Sequence, residues 1–133
     1  MTRVFADTFY FLALLNPRDK AHARAVAYTA SFPGEMVTTA WVLTELGDAL
    51  WHPANRSKFI ATVTYLKTNA QGKITPPDPV LFEEGIRLFE ARPDKEWSLT
   101  DCISFVVMQR EGITEALTGD HHFEQAGFVA LLK

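Results

Sequence analysis

Four short apolar runs, Val4-Phe5-Ala6, Met36-Val37-Thr38-Thr39, Glu115-Ala116-Leu117-Thr118 and Phe128-Val129-Ala130-Leu131, are separated by segments of helical periodicity. Few folds accept that alternation. A strand that is followed by a helix and then by another strand needs a crossover, so the sheet becomes mostly parallel and both of its faces are covered. The fold class is therefore α/β. In such sheets ligands bind beyond the carboxyl ends of the strands.

The segments between the runs read as follows. Thr8 to Leu15 is too apolar to face water, and Asn16-Pro17 ends it. Asp19 to Ser31 is a helix with Ala21, Ala25 and Tyr28 on one face, and Pro33-Gly34 is a turn. Thr38 or Thr39 caps a helix from Ala40 to Leu50. Arg56 to Asn69 carries Phe59, Ile60, Val63 and Leu66 at helical spacing, and Lys73-Ile74-Thr75 is a weak strand candidate. Asp78-Pro79 pairs a cap with a proline at the first helical position, opening a helix to Ala91. Ser98 and Asp101 form a capping box for a helix to Glu111, with Gly112 beyond its end. Asp120 to Gln125 is a short turn or helix. No repeat or linker divides the 133 residues, so residues 1–133 form one domain.

Hydrophobic residues make up 47% and charged residues 22%, as in ordinary globular proteins. No apolar run approaches the ~20 residues that cross a bilayer, and Asp7 interrupts any signal-peptide core, so a cytoplasmic protein is expected. The single Cys102 lies in an apolar helix and reads as a small core residue. With a net charge of −3 and a pI near 5.8, no basic stripe announces nonspecific nucleic-acid binding.

Four acids sit against the local pattern. Asp7 ends the first run, and Asp120 follows Ala116-Leu117-Thr118-Gly119. Glu45 lies on the apolar side of its helix, among Val42, Leu46 and Ala49, where it needs a partner. Asp101 opens the most apolar helix. Carboxylates so placed cost stability unless they are neutralised. Each has a bland role: Asp7 and Asp120 as caps, Asp101 as the partner of Ser98. Four coincident exceptions favour a site. The four account for −4, leaving +1 for the rest of the chain, so the acidity belongs to the pocket. All-oxygen ligands suit Mg²⁺ or Mn²⁺ better than Zn²⁺, and such ions on clustered carboxylates support phosphodiester hydrolysis.

Thr8, Thr100 and Ser104 place hydroxyls beside the acids, Ser104 either orienting a carboxylate or bonding back to its helix. His121-His122 tempts a zinc reading, but adjacent histidines are expected to point apart, and no further Cys or His stands at ligand spacing. They read instead as a loop pair near the site.

Phe5-Ala6-Asp7-Thr8, Thr39-Ala-Trp-Val-Leu-Thr-Glu45, Leu99-Thr100-Asp101-Cys102 and Thr118-Gly119-Asp120-His121-His122-Phe123 together resemble a PIN domain, in the family's order and over the whole chain. The nearest grouping is the small VapC-like ribonucleases, the toxin half of type II toxin–antitoxin pairs. The resemblance implies a three-layer α/β/α sandwich with a central parallel sheet, and Mg²⁺- or Mn²⁺-dependent cleavage of RNA. It implies that Asp7, Asp101 and Asp120 hold metal directly or through water and that Glu45 completes the quartet. Phe9 departs from the small polar residue often found two positions after the first acid.

A receiver-type signalling domain would need paired acids after the first strand and a phospho-accepting Asp near mid-chain, where His52-Pro-Ala-Asn-Arg-Ser-Lys stands instead. A catalytically silent binding module and a solitary RNA-processing nuclease are the other readings. Surplus apolar residues in Thr8–Leu15 and Trp41–Trp51 suggest a homodimer, and a groove beside the acids is expected to accept an antitoxin segment.

Overall fold

The computed structural model describes residues 2–133. In chain order the elements are β1 (Arg3–Ala6), α1 (Thr8–Leu15), α2 (His22–Ser31), β2 (Glu35–Thr39), α3 (Ala40–Ala49), α4 (Arg56–Thr68), β3 (Gly72–Thr75), α5 (Pro79–Ala91), α6 (Leu99–Glu111), β4 (Glu115–Leu117), α7 (His121–Gln125) and β5 (Val129–Ala130). These follow the periodicity closely, the weak strand at Lys73–Thr75 included. The largest shift is at α2, which starts at His22 and not at Asp19. The Asn16 and Asp19 side chains accept the backbone N–H groups of Arg18 and Ala21, and these local turns delay the helix.

The strands form one sheet in the order β3-β2-β1-β4-β5, parallel at every pairing. It is an α/β/α sandwich: the right-handed rule for parallel crossovers places the helices between β1 and β3 over one face and those after β3 over the other. Helix α3 also reaches the second layer, packing on α6 and stacking Trp41 on Phe82 of α5. The chain leaves β1 toward β2 and later returns to β4 on β1's opposite side. The crevice between the carboxyl ends of β1 and β4 is therefore a topological switch point.

Val4, Phe5, Ala6, Val37, Ala116 and Leu117 fill the sheet's buried positions. Thr38, also fully buried, donates to Ala6 O at 2.8 Å, so its hydroxyl costs little. Thr39 is the cap of α3, accepting Val42 N–H. Charged pairs gather at the amino edge, where Arg3 joins Glu35 and Glu111, and Lys73 joins Glu111. Cys102 is fully buried, and its thiol is pushed up to about 11 by burial and then by the Asp101 charge. No helix among the described residues is long and apolar enough to cross a membrane.

The surplus apolar surface lies largely elsewhere than expected. Trp51, just past α3, is 64% exposed, but the other large exposed side chains are chiefly on α4 (Ile60, Tyr65) and α5 (Val80, Phe82, Phe89). Helix α1 buries or half-buries every residue.

Helices α5 and α6 pack closely at Gly85, where a β-carbon would collide with Ile103 Cγ1 and lie 3.4 Å from the Ile103 Cα and Cβ. Gly85→Ala is expected to lower the unfolding free energy by about 1–3 kcal/mol, seen as a lower urea midpoint at unchanged slope. An unchanged midpoint would contradict this packing.

Candidate metal centre

Asp7 leaves the end of β1 directly into the switch-point crevice and is only 5% exposed. It occupies the cap position of α1, yet its side chain makes no capping bond. Its Oδ2 instead accepts the Thr118 hydroxyl at 2.9 Å. The same Thr118 oxygen accepts Asp120 N–H at 3.1 Å, so one hydroxyl ties the ends of β1 and β4 together.

Asp120 caps α7, accepting His122 N–H on Oδ1 at 2.9 Å. Asp101 completes the capping box of α6: Ser98 Oγ accepts its N–H at 3.0 Å, and its Oδ2 accepts Ser98 N–H at 3.1 Å. That same Oδ2 lies 3.2 Å from His122 Nδ1, and Asp120 Oδ1 lies 3.3 Å from that nitrogen. Asp7, Asp120 and Asp101 are thus joined through Thr118 and His122. The anchor of α7 is Phe123, fully buried and edge-on to Phe105 of α6 at 4.9 Å. This contact holds Asp120 and His122 opposite Asp101.

The cluster lacks counter-charge. Burial pushes Asp7 up to about 7; the Thr118 bond opposes this, the Asp101 charge adds to it, Thr8 N–H opposes it, and the Glu45 charge adds again. Asp101 is also raised, first by burial against the Ser98 bond, then by Asp120 against His122. No Lys or Arg among the described residues pairs with any of the four acids. Asp101 Oδ1 and Asp120 Oδ2 have no hydrogen-bond donor among the described residues. Thr8 Oγ1, beside Asp7, is buried without a partner. Spare carboxylate oxygens, an orphaned hydroxyl and uncompensated negative charge are a donor set that fits a hard divalent cation.

Three expectations need correction, and one open alternative is decided. Glu45 is exposed, as are its neighbours Thr44 and Asp48, so the helix face assigned to it is not the buried one, which carries Val42, Leu43 and Leu46. It acts on Asp7 through charge alone. Of the two readings of Ser104, the bond back to its own helix is the one observed, to Thr100 O at 3.0 Å, which leaves Thr100 connected to the cluster only as Asp101's neighbour. The histidines do not point apart: their rings lie 4.5 Å from each other, and one ligand atom from each of Asp120, His121 and His122 falls within 4.8 Å of the others. Finally, the pair lies in the first turn of α7 and not in a loop. Thr118, which ties the strand ends together, is not among the residues the sequence singles out. Its only signal was a hydroxyl two residues before an acid at a strand end.

Residues 4–129 match the PIN domain family. The 23S rRNA-specific endonuclease VapC20 of Mycobacterium tuberculosis, from strain H37Rv and from strain CDC 1551, is 32% identical over 127 residues, 95% of each chain. The crystal structure of Mycobacterium tuberculosis VapC20, described as a sarcin-ricin loop cleaving toxin, superposes with a TM-score of 0.85 at 28% identity, over 95% of this chain and 96% of that one. FitAcB from Neisseria gonorrhoeae shares the fold at a TM-score of 0.64 and 21% identity, over 96% and 94% of the two chains. The chain that brings these carboxylates together belongs to the PIN domain family.

Proposed function

We propose that this chain is a divalent-metal-dependent endoribonuclease and the toxin of a toxin–antitoxin pair. The observation that carries the reading is the convergence of Asp7, Asp101 and Asp120 on one crevice without a compensating Lys or Arg. The similarity to an endonuclease of 23S rRNA supports RNA as the substrate class and makes ribosomal RNA the first substrate to try.

In this reading Asp7, Asp101 and Asp120 hold Mg²⁺ or Mn²⁺, and Glu45 completes the quartet from the solvent side. The imidazole nitrogens beside Asp120 tilt the choice toward Mn²⁺, which accepts nitrogen ligands more readily than Mg²⁺. When bound, the cation supplies Lewis-acid chemistry at a phosphodiester and makes water a stronger nucleophile. The remaining work belongs to the chain. Thr118 orients Asp7 and Asp120 as a pair, and His122 fixes Asp101 against Asp120 as outer-shell partners fix metal ligands elsewhere.

A neighbouring antitoxin would insert an Arg against the carboxylates, since guanidinium pairs well with them and competes with metal. An apolar cleft of about 420 Å³ between α1 and α4, lined by Tyr10, Phe11, Leu14, Tyr65 and Leu66, suits the apolar part of such a segment. The exposed Val80, Phe82 and Phe89 of α5 support a homodimer.

With wild-type protein, RNA cleavage is expected with Mn²⁺ or Mg²⁺ and none with EDTA. Asp7→Asn and Asp101→Asn should each reduce it by at least a hundredfold, more than the roughly 10- to 100-fold effect of losing an outer-shell partner. Mn²⁺ should raise the wild-type Tm by binding only the folded state, and His122→Ala should weaken Mn²⁺ binding about tenfold. An equal Tm shift in wild type and Asp7→Asn would place the ion elsewhere. Expression alone should arrest growth, and co-expression of the adjacent gene product should relieve it. Harmless expression of a folded, metal-binding protein would favour the RNA-processing reading.

The raised Asp7 carboxyl sets a pH dependence. Its folded value of about 7 exceeds the ordinary 3.8. The stability conferred by its proton is therefore complete below about pH 4 and lost as pH rises through about 7. Metal-free protein should lose up to about 4 kcal/mol across that window from this group. Asp7→Asn should lose correspondingly less. Metal must displace the proton, so Mn²⁺ affinity should climb toward pH 7 and level off above it. Identical urea midpoints for both proteins at pH 5 and pH 8 would rule this out.

A further inference from the structure

Beside the carboxylates lies a second open cleft, of about 520 Å³, between the start of α2 and the loop that carries Asp120. That is within the ~300–1,000 Å³ of small-ligand pockets. Phe9 forms part of its wall, two residues after Asp7. The ring lies directly on Gly119, which immediately precedes Asp120; a β-carbon there would sit 2.5 Å from Phe9 Cζ. Gly119 is thus needed for close approach rather than for a turn conformation, and the ring stays only half-buried.

The cleft is also where free positive charge meets the site. Lys20 lines it, is exposed, and has no carboxylate within ion-pair distance among the described residues. Arg24 lines it as well, is exposed, and donates one N–H to Leu132 O at 3.2 Å, leaving the rest of its guanidinium free. Asp19 also lines the cleft, but its carboxylate accepts Ala21 N–H at 2.8 Å and pairs with neither cation. Lys133 pairs with Glu124 and adds no free charge. In a chain of net charge −3, two unpaired cations and an aromatic face in one cleft beside the acids are a specific combination.

We propose that this cleft seats the single-stranded RNA flanking the scissile phosphate, with one base stacked on Phe9 and backbone phosphate held by Lys20 and Arg24. The proposal rests on the nuclease reading for its ligand class. Single-stranded RNA is held by aromatic faces that stack its bases and by cations that track its backbone. Base stacking tolerates any sequence, while Lys and Arg contacts set the register of the strand. The arrangement also explains how an acidic site attracts a polyanion: the carboxylates serve the metal, and the strand is held one residue to the side.

The test is binding of a fluorescein-labelled single-stranded RNA 12-mer between 50 and 200 mM KCl. Each cleft substitution is made in the full chain carrying Asp7→Asn, so that the probe survives. Lys20→Glu/Arg24→Glu should weaken binding at least tenfold and reduce the slope of log K against log salt by about 1.4, the loss of two single-strand phosphate contacts. Phe9→Leu should weaken binding about tenfold with the salt slope unchanged, and Phe9→Tyr should restore it. Lys67→Glu on exposed α4, the same kind of charge reversal at a single site, should alter neither quantity. With Asp7 restored, the cleft variants should keep the Mn²⁺-induced Tm shift, which shows an intact fold and centre. Unchanged affinity and slope in Lys20→Glu/Arg24→Glu, or no binding by any form, overturns the proposal. Cleavage by wild type alongside unaltered binding in the cleft variants rejects the cleft and keeps the nuclease. Binding through the cleft without Mn²⁺-dependent cleavage keeps the cleft and rejects the nuclease.

Discussion

Negative charge crowded into a partly dry crevice is the constraint around which this domain is arranged. Asp7 is buried, Asp101 nearly so, and the ionisation of each is opposed first by burial and then by a neighbouring carboxylate, Asp101 beside Asp7 and Asp120 beside Asp101. The fold tolerates this without spending a Lys or Arg on it. Asp7 and Asp120 stand at the caps of α1 and α7, and Asp101 lies in the first turn of α6. Backbone N–H groups at helix starts carry partial positive charge that favours carboxylates by a few tenths to about 1 kcal/mol each. That offset is enough to let the acids fold together and too small to neutralise them.

Topology brings those helix starts to one place. Strand order reverses between β1 and β4, so each strand delivers an acid to the same crevice. Thr118 then fixes the distance between them with a single oxygen. The Phe123–Phe105 contact fixes α7 on α6. Apolar packing therefore sets the geometry, and the carboxylates keep lone pairs spare for a ligand.

Much of this was legible in the residues. The alternation of runs marked the strands, and Ser98 and Asp101 marked the start of α6 because capping is local in sequence. The bland and the functional readings of Asp101 and Asp120 prove compatible, since each carboxylate caps a helix with one oxygen and leaves the other free. What was not legible depends on tertiary contacts. The periodicity around Glu45 could not say which stripe of α3 faces the core, because Trp41, Val42, Leu46 and Ala49 define an apolar arc that contains Glu45, whereas burial falls on the neighbouring arc of Val42, Leu43 and Leu46. The turn of His122 onto Asp101 needs the packing of Phe123, and no spacing rule encodes a bond across 21 residues.

His122 also shows why this site uses an imidazole where a lysine would hold the carboxylates just as well. A Lys ammonium between Asp101 and Asp120 would neutralise them at every physiological pH and exclude a cation. An imidazole lies within hydrogen-bond reach of a carboxylate oxygen and positions it without bringing a permanent charge. Its second nitrogen and the neighbouring His121 remain available as ligands. The permanent cations Lys20 and Arg24 stand instead in the adjacent cleft and form no ion pair with the acids. The absence of Lys and Arg from the crevice and their presence outside it are what the proposed pairing of a cation and an RNA strand asks of one small domain.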